Sequence, residues 1–300
     1  MTPPRSSPLP PWSPSASALR LLVTLGLLAV VGTAFVGSVR RLDAQQVQRL
    51  QARSAQVRQP LDSASWARVL DISVSPELGQ TLGISAADAP EVSAQLSASR
   101  EGDLMLEQTR QGDVLKLRLA AAEGRLPLAI PLDGSSIWPG KLDIRLPTAL
   151  PLRLSLTRVA ESSVLDLRRV QLERLNYVGG GSLNLTLPER GPSQTNLQSS
   201  GGVMTVTLLP GASRATLKAT SKGGDLLLNV PASARVTLRL QLSASLSRTF
   251  SDLPKRFEYQ PTGRGSLTRI YIQRGQPGGS QLTADLKLDN GLLVVNGGSP

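Results

Sequence analysis

Two of the residue types that most often do chemistry are missing from this 300-residue chain, and the spacing of the others offers little. There is no cysteine and no histidine. That excludes disulfides, thiolate nucleophiles, Cys/His zinc sites, a Ser-His-Asp triad and a histidine general base. The nearest approach to a serine-lysine dyad is Ser221-Lys222, but adjacent residues in a strand or turn point apart. Glu101 and Asp103 share a face if extended, as a glycosidase pair does, yet nothing nearby indicates a cleft or an aromatic platform. Gly179-Gly-Gly-Ser182 lacks the following helix and the Lys-Ser/Thr ending of a phosphate loop and predicts a turn. Gly102-Asp103, Gly112-Asp113 and Gly223-Gly-Asp225 miss the nine-residue period of a calcium-binding β-roll. The expectation is therefore no catalytic, cofactor-binding or metal-binding residue, and a protein that is not an enzyme.

What the sequence does carry is a repeated phrase: a glycine, an alternating apolar strand, a proline. It reads Gly140 to Pro147, Gly181 to Pro188, Gly202 to Pro210 and Gly224 to Pro231, with looser copies at Gly265 and Gly291. The glycines at 181, 202 and 224 are 21 and 22 residues apart. The two gaps of 41 each leave room for a degenerate copy, at Val164 to Leu167 and near Leu242 to Leu246. In Gly181 to Pro188 the residues Leu183, Leu185 and Leu187 fall on one face, Asn184 and Thr186 on the other. The glycine tolerates a turn, and the proline ends the strand because it cannot donate to a ladder. Second apolar strands follow at Leu152 to Leu156, Ala215 to Ala219 and Val236 to Leu240, the last two keeping the same period. One such unit cannot bury its apolar face alone, and stacked units can. The prediction is an all-β repeat β-solenoid over 136–297. An antiparallel β-sandwich, which also spaces alternating strands regularly, is the alternative.

Ahead of the repeats the chain divides by composition. Residues 1–18 are a Pro/Ser-rich tail expected to be disordered. Residues 19–39 predict a transmembrane helix: Leu21 to Val39 holds no charge, spans roughly 28 Å as a helix, and is bracketed by Arg20 and Arg40-Arg41. A cleaved signal peptide with Gly32-Thr-Ala34 as its small-residue site is the competing reading. Residues 40–60 predict a polar helical stalk with a thin seam of Val47, Leu50 and Val57, ended by Pro60. Residues 61–135 predict an irregular β portion or cap. The arginines after the apolar segment argue for a cytoplasmic domain, and a lone anchor near the start argues for export. The adopted expectation is an extracytoplasmic domain, with the other side left open.

The formal net charge is +11, with +6 of it in residues 1–60. Aromatic residues make up only 3% of the chain, so the stacking platforms of a nucleic-acid binder are missing and none is expected as a partner. Large rings outside the apolar segment include Trp66, Trp138, Phe250, Phe257, Tyr259 and Tyr271. Phe257 and Tyr259 could form a small interface patch or cap an open end.

The run Val164 to Pro188 has a leucine-aspartate-leucine strand, an alternating strand, a small-residue turn and a strand ending in proline. In this it resembles the bacterial toastrack or putative-adhesin family, which includes the C-terminal domains of LiaF-like envelope-stress proteins. The resemblance covers 160–235 well and 136–297 in outline. It implies a β-solenoid-like domain attached to membrane segments and used for interaction or assembly in envelope-stress signalling. Unlike LiaF-like members, this chain has one candidate membrane helix. The function expected is that of a non-catalytic, membrane-anchored binding, scaffold or adhesin-like protein of the cell envelope. It would engage the bilayer through 19–39 and a protein or envelope partner through the domain. A self-assembling filament, seeded from the apolar rung Gly291 to Val295, is the alternative.

Overall fold

The computed structural model describes residues 54–61, 65–74, 81–97, 104–121, 141–159, 161–242, 253–261 and 268–297. All of the regular structure in them is β. The strands are β1 (Ser54–Pro60), β2 (Val69–Val74), β3 (Thr81–Ala87), β4 (Glu91–Ser97), β5 (Leu104–Gln111), β6 (Val114–Ala121) and β7 (Lys141–Pro147). They continue as β8 (Leu152–Val159), β9 (Ser162–Asp166), β10 (Leu172–Gly179), β11 (Ser182–Thr186), β12 (Arg190–Ser199), β13 (Met204–Thr207) and β14 (Ala212–Ser221). The last are β15 (Leu226–Asn229), β16 (Arg235–Leu242), β17 (Glu258–Gln260), β18 (Thr268–Gln273), β19 (Gln281–Leu288) and β20 (Leu293–Asn296). They form two sheets. Sheet A runs β1-β4-β7-β3-β9-β11-β13-β15-β20, and sheet B runs β17-β18-β16-β19-β14-β12-β10-β8-β2-β6-β5.

From β7 to β16, consecutive strands alternate between the sheets across short corners. A strand that crosses to the other sheet does not fold back on its predecessor as a hairpin. The chain instead returns to each sheet after visiting the other, running the same way as before, so from β10 to β15 each new strand pairs in parallel with the strand one repeat earlier. The registers show this. Ser182 lies beside Ser162, Leu183 beside Met204, Met204 beside Leu226, and Arg190 beside Ala212. The sequence period is thus the register offset. Every pair among β8 to β15 is parallel, so the antiparallel β-sandwich does not form there. Antiparallel pairing is confined to the ends, where β1, β4 and β5 finish one side and β17 and β18 the other.

The inward faces build one apolar core. Leu183, Leu185 and Leu187 stack on Met204, Val206 and Leu208, and these on Leu226, Leu228 and Val230, all buried. Each fully buried side chain of this size stabilises by roughly 1.5–3 kcal/mol. β9 fills the first gap in the repeat, placing Leu165 beside Leu185. The second gap falls partly in 243–252, outside the described residues.

The glycine that opens the repeat is required less by its own dihedral angles than by the circuit beneath it. A Cβ at Gly202 would lie 2.6 Å from the carbonyl of Gly181. A Cβ at Gly224 would run into the carbonyl of Gly202, and one at Gly291 into that of Gly224. Only Gly202 of these has a positive φ, 72°. The column Gly181, Gly202, Gly224, Gly291 is a line of backbone stacked on backbone. The alanine variant at Gly224, whose Cβ would meet backbone that no side-chain rotation can clear, is expected to lose about 3 kcal/mol or more by overpacking. At Gly112, where φ is 63° and nothing lies within 4 Å, alanine carries only the strain of the left-handed backbone, about 1–2 kcal/mol. Urea denaturation of the two variants should rank Gly224→Ala as the weaker, and the opposite order would refute the stacking explanation.

Both ends are interleaved. β2 lies between β6 and β8, and β3 between β7 and β9, although β6 to β9 come later in the chain. At the other end β19 slides between β14 and β16. Ala215 and Val236, which occupy equivalent places in successive repeats, therefore both pair with Leu282 instead of with each other. One expectation is corrected here. Residues 54–60, the last part of the helical stalk, are strand β1, held to β4 by a full antiparallel register from Ser54 with Ser97 to Pro60 with Glu91. The rest of the stalk, the tail 1–18 and the segment 19–39 lie outside the described residues. No helix among the described residues is long and apolar enough to cross a membrane.

Where β12 and β14 meet, the interior turns polar. Ser193 Oγ, Thr195 Oγ1 and Ser213 Oγ are buried without a hydrogen-bond partner among the described residues. A desolvated, unpaired hydroxyl costs about 1–3 kcal/mol. Thr195 sits between Leu175 and Leu217, so the isosteric, β-branched Thr195→Val is expected to raise stability by about 1 kcal/mol in a chemical melt.

Candidate functional site

Ser221 and Lys222 do not act together. Ser221 is buried, and its Oγ donates to the Gly224 carbonyl at 2.7 Å and accepts from the Gly224 N–H at 3.0 Å. Lys222 is exposed. Ser199, one circuit earlier and beside Ser221 in register, makes the same closure onto Gly201, accepting its N–H at 3.2 Å. These serines tie the corners. Gly179-Gly-Gly-Ser182 is likewise the corner from β10 to β11, and a strand follows it. The Asp225 carboxylate accepts the Leu292 N–H at 2.8 Å, fixing the lead into β20. Asp113 lies in the β5–β6 turn, where its carbonyl accepts from Arg68 N–H at 2.8 Å. Glu101, Asp103, Trp138 and Phe250 lie outside the described residues. Trp66, Phe257, Tyr259 and Tyr271 pack toward the ends. The Arg110 guanidinium sits 4.2 Å over the Trp66 ring. Tyr259, 53% exposed, tilts against Tyr271 at 5.6 Å, and Phe257 and Tyr271 lie partly buried on the core.

Three titratable groups are shifted by their surroundings, Asp166 and Arg168 as a pair and Tyr177 by itself. The Asp166 carboxyl is held below its ordinary value by hydrogen bonds from Arg168, whose Nη2 lies 2.6 Å away. The Tyr177 phenol is pushed up by burial, with its hydroxyl 3.4 Å from Ser163 Oγ and its ring filling the space beside Gly179. Tyr177 and the Ser163 beside it are both buried away from solvent. For Tyr177 the folded state holds its proton to higher pH than the unfolded state does. Stability from this group is full below about pH 10 and falls as pH rises above it toward the raised folded value. Tyr177→Phe should therefore lose less stability between neutral and strongly alkaline pH than the parent, measured as the difference between two urea melts.

The outward faces are where the chain can meet something else, and they differ. On sheet A from β11 to β20 every outward strand residue is uncharged, and one row is a ladder of Thr186, Thr207, Asn229 and Asn296. Asn296 Nδ2 donates to Asn229 Oδ1 at 3.1 Å, and Asn229 Nδ2 to Thr207 Oγ1 at 3.2 Å. On sheet B the corresponding half is basic: Arg214 and Lys218 on β14, Lys287 on β19, Arg235 and Arg239 on β16, all exposed. The carboxylate among them is Asp285, 3.7 Å from Arg239. A shallow polar hollow of about 350 Å³ opens on sheet A near the other end, with Gln56 and Arg58 from β1, Glu91 and Ser93 from β4, and Asp143 and Arg145 from β7. Arg58, Ser93, Arg145 and Ser85 follow one another across four strands there. Sequence reading missed both features. The hollow joins strands from well-separated parts of the chain, and the basic face depends on β19 entering between β14 and β16. The alternation of Arg214, Thr216 and Lys218 was the available signal, but nothing in it tells which strands stand beside β14.

No family model matches the chain, and no curated protein matches it. A solved structure of a putative cell adhesion protein from Clostridium sporogenes ATCC 15579 is similar with a TM-score of 0.48 and 12% identity, over 81% of this chain and 98% of that one.

Proposed function

We propose that this chain is a non-catalytic binding or scaffold module of the cell envelope, a β-solenoid tethered to a membrane through residues 19–39. The observation that carries the reading is the in-register parallel pairing of each strand with its equivalent in the next repeat, which stacks short circuits and leaves two broad outward faces. The buried serines support it. The one that resembled a nucleophile is spent on a corner, and the titratable groups with shifted values stand in structural settings. Catalysis needs a positioned acid, base or nucleophile in a concave site. The outward faces instead present ladders suited to contact.

The open edge of sheet A favours self-assembly as a second reading. β20 pairs with β15 on one side and with no other strand among the described residues, and an unpaired edge is a template for another strand.

The tether and its side are tested together with Ser299→Cys in a chain that has no other thiol. The protein is expected in the membrane fraction after alkaline carbonate washing. A membrane-impermeant maleimide should label it in intact cells. Release by carbonate would overturn the anchor, and labelling only after lysis would place the domain in the cytoplasm.

A further inference from the structure

We infer that the outer face of sheet B, at its β14–β19–β16 end, docks on an anionic lipid bilayer. The inference rests on the reading of the chain as a membrane-tethered binding module and names the partner of one of its faces.

The charges form a two-dimensional array. In register, Arg214 of β14, Gln281 of β19 and Arg235 of β16 make one row. Thr216, Thr283 and Thr237 make the next, and Lys218, Asp285 and Arg239 the third. Lys287 follows, beside Thr220 and Gln241. Strands about 4.8 Å apart put cations of one row about 10 Å from each other, and positions four apart on a strand are about 13 Å apart. Five cations against one carboxylate thus cover three strands. The outward strand residues of sheet A carry no charge from β11 to β20, so the domain is electrostatically one-sided at this end.

The arrangement favours a surface over a thread. No row has basic residues on neighbouring strands, and the row holding Lys218 and Arg239 has Asp285 between them. A linear polyanion lying along any row meets a neutral or acidic side chain at every second strand. A plane of headgroups meets all five cations at once. The next two strands add apolar side chains and an ion pair to the same face: Ile272 lies between Thr237 and Glu258 and Ile270 between Arg239 and Gln260, both isoleucines half-buried, and Glu258 is 3.3 Å from Arg274. Basic residues around interfacial apolar side chains are what a bilayer surface holds.

The test uses the full-length chain reconstituted in vesicles, with an environment-sensitive dye on Thr216→Cys in the basic face or, as control, on Thr205→Cys in the outer face of sheet A. In vesicles of phosphatidylcholine mixed with phosphatidylglycerol, the dye at 216 is expected to shift to shorter wavelength, while the dye at 205 does not. Phosphatidylcholine alone should give no shift at either position. Salt at about 1 M, where the screening length is about 3 Å, should abolish the shift at 216. Arg214→Gln, Lys218→Gln and Lys287→Gln, all at exposed positions, should lower the docked-to-undocked ratio about fivefold each and on the order of a hundredfold together. No shift at 216 with phosphatidylglycerol, or an equal shift at 205, overturns the inference. So does soluble polyphosphate competing off the shift at a lower charge concentration than the lipid, which would make the face a polymer site. Flotation with phosphatidylcholine vesicles separates the two readings. A chain that floats yet shows no shift at 216 loses the docking and keeps the tether. A chain that does not float loses the tether, while the dye at 216 still decides the docking.

Discussion

The parallel backbone ladder between successive circuits is the constraint on which the rest depends. Each circuit has too little apolar surface to fold alone, and its N–H and C=O groups on both edges need partners. Stacking meets both needs at once, but only if every circuit has nearly the same length. From β8 to β15 each register steps by close to one repeat. The small differences are absorbed at corners and at the irregularities of the β8–β10 pairing, not within the strands of sheet A.

The ladder in turn dictates corner chemistry. With backbones drawn this close, the turns before β13, β15 and β20 have no room for a side chain, and Gly202, Gly224 and Gly291 meet that demand along the stack. Ser199 and Ser221 then close their corners by bonding to a nearby glycine, which satisfies backbone groups at the tightest bends. At the β16 end the same role falls to a side chain from far away. Buried Gln273 donates from its amide to the carbonyls of Pro231, Ala232 and Ala234 at 3.0, 3.2 and 2.8 Å, and Arg256 bonds its other end.

Interleaving at the ends answers a problem that any stack has, namely that its terminal units expose an apolar edge. In place of simply adding covers, the chain inserts β2 and β3 among strands made later and brings β19 back inside β16. The antiparallel strands then fall outermost, and the sites created at the ends, the hollow by Arg58 and Arg145 and the basic face of β14, β19 and β16, combine distant parts of the chain.

The alternating residues and the glycine and proline punctuation determined the strands, their inward faces and the repeat length, because these follow from local periodicity. Leu183, Leu185, Leu187 and the spacing of the repeat glycines were readable without any coordinates, and so was the absence of thiol and imidazole chemistry. Parallel pairing, the neighbour of each strand and the replacement of the last part of the stalk by β1 were decided by the tertiary structure. Pairing partners are chosen by which apolar faces and backbone edges remain to be covered once the whole chain is present, and no local pattern around Val236 or Val57 encodes that. The same reason hides the charged face: Arg214, Lys287 and Arg239 become neighbours only when β19 takes its place between the other two strands.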